Sequence, residues 1–374
     1  WHLAGRVPLG APRPSPPSTY CGDNLGRAVK LTKISISDHH FCVAPMMDWT
    51  DRHERYLLRL LTRHARLYTE MVTTGALLHG DSARFLAHDP VEYPLALQLG
   101  GSEPDAMAVC AQMGEDAGYN EININTGCPS DRVQSGRFGA CLMREPDRVA
   151  ACVRAMSKAI SIPVTVKCRI GVDFDDRFEQ LVNFVEVVSS AGCTVFIVHA
   201  RKAWLSGLSP RQNREIPPLD YPRVYQLKAR FPELTIVING GISQLNQVQT
   251  HLTRVDGVMI GREAYQNPYR LATVDHELFG FTGPVLSRWQ ILELYKPYIR
   301  RELQRGVRLK QLSRHLLGLF HGQPGARNWR RTLSERGARA GAGIEVIDAA
   351  EAQVRKDGDL HFASQVSQPV HFAA

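Results

Sequence analysis

One cysteine of the eight stands apart by its setting: Cys128, in the run Asn125-Thr126-Gly127-Cys128-Pro129-Ser130. A lone cysteine is by default a small buried hydrophobe. Gly127 and Pro129 instead fix this one in a loop, where a thiol can hand a proton to a reacting carbon as a general acid. A second kind of chemistry is written in Asn239-Gly240-Gly241 and Gly261-Arg262. Glycines let backbone N–H groups close on an anion, and an arginine can fork onto its oxygens. Gln98, Lys167 and His199 add an amide, a cation and an imidazole. Singly, each has an ordinary structural reading, since a glycine pair is most often only a turn.

The elements that carry these residues give them a common address. Short β-branched or apolar runs alternate with helical patterns, which predicts strands at residues 41–45, 67–70, 95–99, 121–125, 164–168, 195–199, 236–239 and 257–261. Eight βα units close a (β/α)8 TIM barrel, an α/β fold whose chemistry sits at the C-terminal strand ends. Gln98, Asn125, Lys167, His199 and Asn239 all fall there. The glycine pairs follow strands seven and eight, the usual phosphate position. A single phosphate suits FMN better than NAD, and no strand-linked G-x-G-x-x-G with an acidic partner proposes a dinucleotide site. Lys167 would then face the N1/C2 edge of a flavin, where negative charge gathers on reduction. Strand alternation turns its neighbour Cys168 outwards.

Beyond the barrel the charge changes character. Between Arg288 and Arg339 thirteen lysines and arginines face three glutamates, in a chain whose net charge is +8. A polyanionic partner follows. Helical patterns at residues 288–305, 309–320, 326–336 and from Ile344 predict a small bundle, with Arg327, Arg330 and Arg331 on one face and Trp329 and Leu333 on another. The expected organisation is a disordered Pro/Gly-rich extension over 1–37, a barrel over 38–285, a basic helical domain over 286–350 and an unstructured tail over 351–374. No apolar run reaches bilayer length. The scattered cysteines lack a C-x-x-C pair, which suits neither zinc nor a disulfide framework and reads as a reducing, cytoplasmic compartment. No metal, membrane or stable protein partner is implied.

Several stretches carry a family likeness: APMMDWTDRH from Ala44, YTEMVTTGALLHG from Tyr68, EININTGCPSDRVQ from Glu121, PVTVKCRIG from Pro163, HARKAWLSGLSPRQNREIPPLDYP from His199, GVMIGREAYQNP from Gly257 and GARNWRRTLSE from Gly325. With them the sequence resembles the tRNA-dihydrouridine synthases, and specifically their A-type branch, from about Phe41 to Ile347. The resemblance implies FMN contacts from Pro45, Met46, Met47, Gln98, Lys167, His199, Asn239, Gly240, Gly241, Gly261 and Arg262. It implies Cys128 as proton donor, and tRNA contacts from Asn125, Arg211, Arg214, Arg327 and Arg330, with Arg201 at the target base. Cys168 departs from the pattern, where a threonine is expected.

The expected reaction is NADPH-driven, with hydride passing from flavin N5 to C6 of a uridine and a proton from Cys128 to C5. The A-type likeness points to D-loop positions 20 and 20a. A base that must reach a barrel pocket has to leave its stack, and the helical segment would grip the tRNA. The alternative is an FMN barrel oxidoreductase acting on a small molecule, such as a dihydroorotate dehydrogenase. It leaves the basic helices idle. A non-catalytic RNA-binding protein would explain those helices but not the flavin residues.

Overall fold

The computed structural model describes residues 38–130 and 136–366, with side chains described through residue 355. Residues 1–37, expected to be a disordered extension, lie outside the described residues. Eight parallel strands are present: β1 (Phe41–Val43), β2 (Leu67–Thr73), β3 (Leu95–Gly100), β4 (Glu121–Asn125), β5 (Val164–Arg169), β6 (Val195–His199), β7 (Thr235–Asn239) and β8 (Gly257–Ile260). They form one sheet in the order β1-β8-β7-β6-β5-β4-β3-β2. Its two edges meet at Arg66, whose N–H donates to the Phe41 carbonyl at 3.0 Å while its carbonyl accepts from Val43 at 2.9 Å. The barrel is therefore closed, as expected of eight βα units.

Alternation along the strands sorts side chains into two cores. Cys42, Tyr68, Ala96, Val195, Ile197, Val237 and Met259 fill the barrel interior. Their neighbours Leu67, Leu97, Val166, Cys168, Val198 and Val258 face outwards into the larger core beneath the helices. Cys168 thus sits with its back to the barrel lumen, fully buried. One irregularity interrupts the pattern. Strand β2 shifts register against β3 between Tyr68 and Met71. The Thr69 hydroxyl then accepts the Gln98 N–H at 3.0 Å, and the Glu70 carboxylate accepts the Asp48 N–H at 2.5 Å. Bulges of this kind re-aim side chains beside functional sites.

The lower barrel interior is polar. Glu121, fully buried, accepts from the Tyr68 hydroxyl at 2.9 Å and the Thr165 hydroxyl at 2.6 Å. His39 lies 2.6 Å and Arg66 3.3 Å away. Burial alone would push the Glu121 carboxyl up. These partners outweigh it and hold the group below its ordinary value.

Four helical segments follow the barrel: Arg288–Gln304, Leu309–Ser313 continuing as a 3-10 turn over Arg314–Gly318, Ala326–Arg336, and Ile344–Val366. Trp329 is their keystone, fully buried, with its indole N–H on the Leu316 carbonyl at 2.7 Å. The last helix corrects the expectation of an unstructured tail from residue 351, since it runs on to Val366. Val346, Ile347, Ala350 and Val354 form its buried stripe. Glu351 and Asp348 seat Lys296 at 2.6 and 2.9 Å.

These helices belong to the same compact unit as the barrel. They are bolted to the barrel helix Arg52–Leu61, whose N-terminus Asp51 caps. Arg52 pairs with the buried Glu302 at 2.5 Å, and the Tyr295 hydroxyl donates to the His53 carbonyl at 3.0 Å. Buried His315 lies between Asp51, at 3.0 Å, and Glu54, at 3.2 Å. No described helix is long and apolar enough to cross a membrane.

Candidate active site

The polar strand ends converge at the C-terminal mouth of the barrel, through contacts that begin on its floor. Thr165 donates to Glu121 and accepts from the Asn123 amide at 2.9 Å. Asn123 accepts from Gln98 Nε2 at 2.7 Å, and Gln98 Oε1 accepts from Asn125 Nδ2 at 2.8 Å. Asn125 Oδ1 then accepts the N–H groups of Gly127, at 3.1 Å, and Cys128, at 3.0 Å. This is one unbroken chain in which every donor points towards the floor. It fixes which end of each amide faces the lumen, and it ends on the backbone of the candidate acid. Gln98 keeps one N–H and one lone pair for a ligand. Asn125, expected to touch RNA, is buried and has all these bonds to make.

Cys128 is half-buried, with Sγ 3.6 Å from the Ser130 hydroxyl. Its carbonyl accepts from Ala140 N at 2.9 Å. Arg169, one turn of alternation beyond Lys167, braces the loop from below. Its Nε donates to the Gly127 carbonyl at 2.9 Å, and its Nη1 to the carbonyls of Lys202 and Asn213. The cations of Lys167, Arg169 and Arg214 lie around this loop.

Lys167 Nζ donates to Asn239 Oδ1 at 3.2 Å. Burial, and then the Arg169 charge, push its ammonium down to about 8. Asn239 also donates to the Met259 carbonyl at 2.7 Å. Its side chain therefore positions the lysine, while the anion cradle is left to the glycines that follow. Gly240 and Gly241 have φ of +118° and +70°, which disfavour any side chain. A Cβ at Gly241 would come within 2.6 Å of Leu219. Beside them His199 is held well below its usual range by burial and by its cationic neighbours Arg169 and Lys167, so it is a neutral imidazole. Its Nδ1 is buried without a hydrogen-bond partner among the described residues, as is Arg201 Nε.

Arg262 is found on Glu215 at 2.6 Å, so a phosphate there would share or displace that carboxylate. Pro45, Met46 and Met47 form the turn after β1, closed by Thr50 Oγ1 accepting the Met46 N–H at 2.9 Å. Met46 packs into the lumen, Met47 is 56% exposed, and Gly261 leaves Met46 room beside it. An orphaned imidazole, a positive-φ glycine pair and a flanking cation and amide together fit a flavin mononucleotide.

The candidate RNA contacts divide into two groups. Arg201, Arg211 and Arg214 lie on the β6 loop above the site. Arg211 is exposed near Glu215 at 3.7 Å, and Arg201 donates to the Pro217 carbonyl. Arg327 and Arg330 project from the far helix, exposed together with Arg331 while Trp329 and Leu333 are buried. The basic segment is less free than its composition suggests. Lys296, Arg301, Arg305 and Arg314 are paired with carboxylates, whereas Arg327, Arg330, Arg331 and Arg336 have no ion pair among the described residues. Sequence reading passed over Asn123, Thr165, Arg169 and Glu215. Only their partners on other strands and loops show what they do.

The dihydrouridine synthase (Dus) family model matches residues 42–354. The chain belongs to that family, and the match runs through the barrel and on through the helices that follow it. At the level of particular relatives, it is 59% identical to the tRNA-dihydrouridine(20/20a) synthase of Shewanella oneidensis over 86% of this chain and 95% of that one. It is 61% identical to the protein of that name from Synechocystis sp., over 86% and 96%. For Escherichia coli strain K12 the figures are 60%, 83% and 90%. A solved 2-naphthoyl-CoA reductase complex shares the fold alone, with a TM-score of 0.51 at 11% identity over 63% of this chain and 50% of that one.

Proposed function

We propose that this protein reduces uridine to 5,6-dihydrouridine at positions 20 and 20a of the tRNA D-loop, using FMN with NADPH as reductant. The observation that carries the reading is the hydrogen-bond chain that places Cys128 over a lumen lined by Gln98, Lys167 and His199. Gly240, Gly241 and Arg262 would hold the FMN phosphate, with Pro45, Met46, Met47, Gln98, Lys167, His199, Asn239 and Gly261 around the rest. When bound, FMN supplies hydride to C6 of the uracil ring. Lys167, as an ammonium, balances negative charge at the ring edge. Cys128 donates its thiol proton to C5. Asn125 orients that loop and the Gln98 amide at once.

Arg201, Arg211 and Arg214 at the mouth, with Arg327 and Arg330 on the helical face, would hold the RNA phosphates while one base leaves its stack. A small-molecule reductase would have no use for that face, and the family match extends through it. The test is NADPH oxidation by the FMN-loaded protein with and without unmodified tRNA, followed by mapping of dihydrouridine in the product. Stimulation by tRNA with new dihydrouridine at 20 and 20a is expected. Oxidation indifferent to tRNA would overturn the reading.

A further inference from the structure

Three loops at the barrel mouth are fused into one rigid shelf. The segment after β5 pairs with the segment after β6 through a parallel bridge between Val172 and Ala203. Asp173, at φ +50°, donates its N–H to the Ala203 carbonyl at 2.7 Å and accepts the Leu205 N–H at 2.7 Å. Ala140, Val172 and Ala203 make a small hydrophobic core of their own, with Met143 and Leu205 against it. Because Ala140 also holds the Cys128 carbonyl, this core ties the shelf to the candidate acid's loop. Fully buried Asn213 grips Trp204 at both its N–H and its carbonyl, at 2.7 and 2.9 Å.

On top of this shelf stands an aromatic pair. Phe174 meets Trp204 edge to face, at 5.2 Å and 86°. Lys202 Nζ lies 4.5 Å from the centre of the Trp204 ring. Phe174 is 84% exposed, an expensive place for a phenyl ring unless something covers it. The two cations beneath are both taken up by carboxylates. Arg144 takes Asp173 and Asp175, and Lys202 takes Asp176. The patch therefore offers a phosphate no net attraction and offers a flat, uncharged ring a pre-set surface.

We propose that Phe174 and Trp204 form a stacking platform for an unpaired tRNA base that flanks the uridine presented to Cys128. This rests on the proposed function. A base pulled from its stack leaves neighbours with exposed faces, and an immobilised aromatic can cover one of them without sequence preference. The shelf holds that neighbour in a set position relative to Cys128, so stacking would help determine which nucleotide enters the barrel.

The experiment compares FMN-loaded parent, Phe174→Ala, Phe174→Leu and Phe174→Trp proteins on an unmodified tRNA transcript, with flavin content as the check on folding. Phe174→Ala and Phe174→Leu should raise the tRNA Kd and KM by about tenfold, within the range of about 5- to 150-fold that loss of one base stack brings. Phe174→Trp should restore both. Single-turnover reduction at saturating tRNA should change far less than KM. A 2-aminopurine placed beside the target uridine should be quenched by the parent and not by Phe174→Ala. Parent-like binding by Phe174→Ala or Phe174→Leu would overturn the platform. So would sedimentation showing a dimer that Phe174→Ala dissolves, which would assign the patch to a second copy. If the parent itself fails to reduce tRNA, the proposed function falls, whereas an active parent with an unaffected Phe174→Ala variant defeats the platform alone.

Discussion

The side chain of Asn125 accepts the backbone N–H of Cys128 at 3.0 Å, so the candidate acid is aimed by a residue three positions before it. The same amide donates to Gln98. Asn125→Ala should lower single-turnover tRNA reduction by about 10- to 100-fold, the scale of a small misplacement of a reacting group. Asn125→Asp keeps the acceptor and loses the donor, so it should recover the loop and leave Gln98 loose. Equal rates for parent and Asn125→Ala would count against the positioning role.

Cys128→Ala should accept electrons from NADPH at the parent rate and lose tRNA reduction by about 10²–10⁴-fold, since only the second half-reaction needs the acid. Stopped-flow measurement of each half-reaction separates the two. Parent-like tRNA reduction would move the proton source elsewhere.

The pH dependence of the first half-reaction should carry the signature of Lys167. Burial and Arg169 lower its ammonium to about 8. Its positive charge is thus present below that pH and lost as pH rises through it. Flavin reduction should slow above about pH 8 in the parent, and Lys167→Met should be slower throughout and lack this alkaline limb. The same limb in the variant would assign it to another group.

His315 is the basic member of the buried joint between barrel and helices. Burial alone would lower it, but Asp51 and Glu54 raise it to about 9. A raised histidine contributes stability that is complete below its ordinary value and is lost as pH rises through about 9. Glu54, pushed up to about 7 by burial, is increasingly protonated below neutrality and then needs the cation less. His315→Ala should therefore cost about 3–5 kcal/mol at pH 8, as removal of one partner from a buried ionic cluster does. The cost should be smaller at pH 10, where the imidazolium is lost in the folded state as well. Urea unfolding at the two pH values measures both, and a pH-independent loss would mean that packing alone is at stake.

Arg327→Ala with Arg330→Ala removes two exposed cations from one helical face. If each meets one phosphate, the slope of log K against log salt should fall by a little under about 1 per contact. Affinity for any tRNA should weaken, with flavin content intact. Unchanged slope and affinity would leave the grip to Arg201, Arg211 and Arg214.

How much of this could be read in advance follows the range of the interactions. Strand alternation put Lys167 inwards and Cys168 outwards, and both lie so, because that rule is local. The Arg327, Arg330 and Arg331 face likewise needed only helical spacing. Glu121 reads as an ordinary charge at the start of a strand. Its burial depends on His39, Arg66, Tyr68 and Thr165 meeting it from other parts of the barrel. Arg169 serves three carbonyls on two other loops. The helix past residue 351 was obscured because Glu351 and Arg355 look like a solvated tail until Lys296 and Trp289 supply their partners.

A barrel is a ring, and this one has a thin link. Strand β1 is three residues long and, among the described residues, pairs with the β2 side only at Arg66, whereas β3 and β4 share four paired positions. Local opening begins where few bonds must break, so the amides of Val43 and Arg66 should exchange with solvent before those of the opposite wall. The turn bearing Met46 and Met47 leaves from this link, and the helix Arg52–Leu61 spans it. Through Glu302 and Tyr295 the C-terminal helices grip that helix from outside. Besides presenting arginines, they act as a buckle. A chain cut before Arg288 would keep every residue proposed to hold FMN and should still bind it less well, because the ring would spring at its seam.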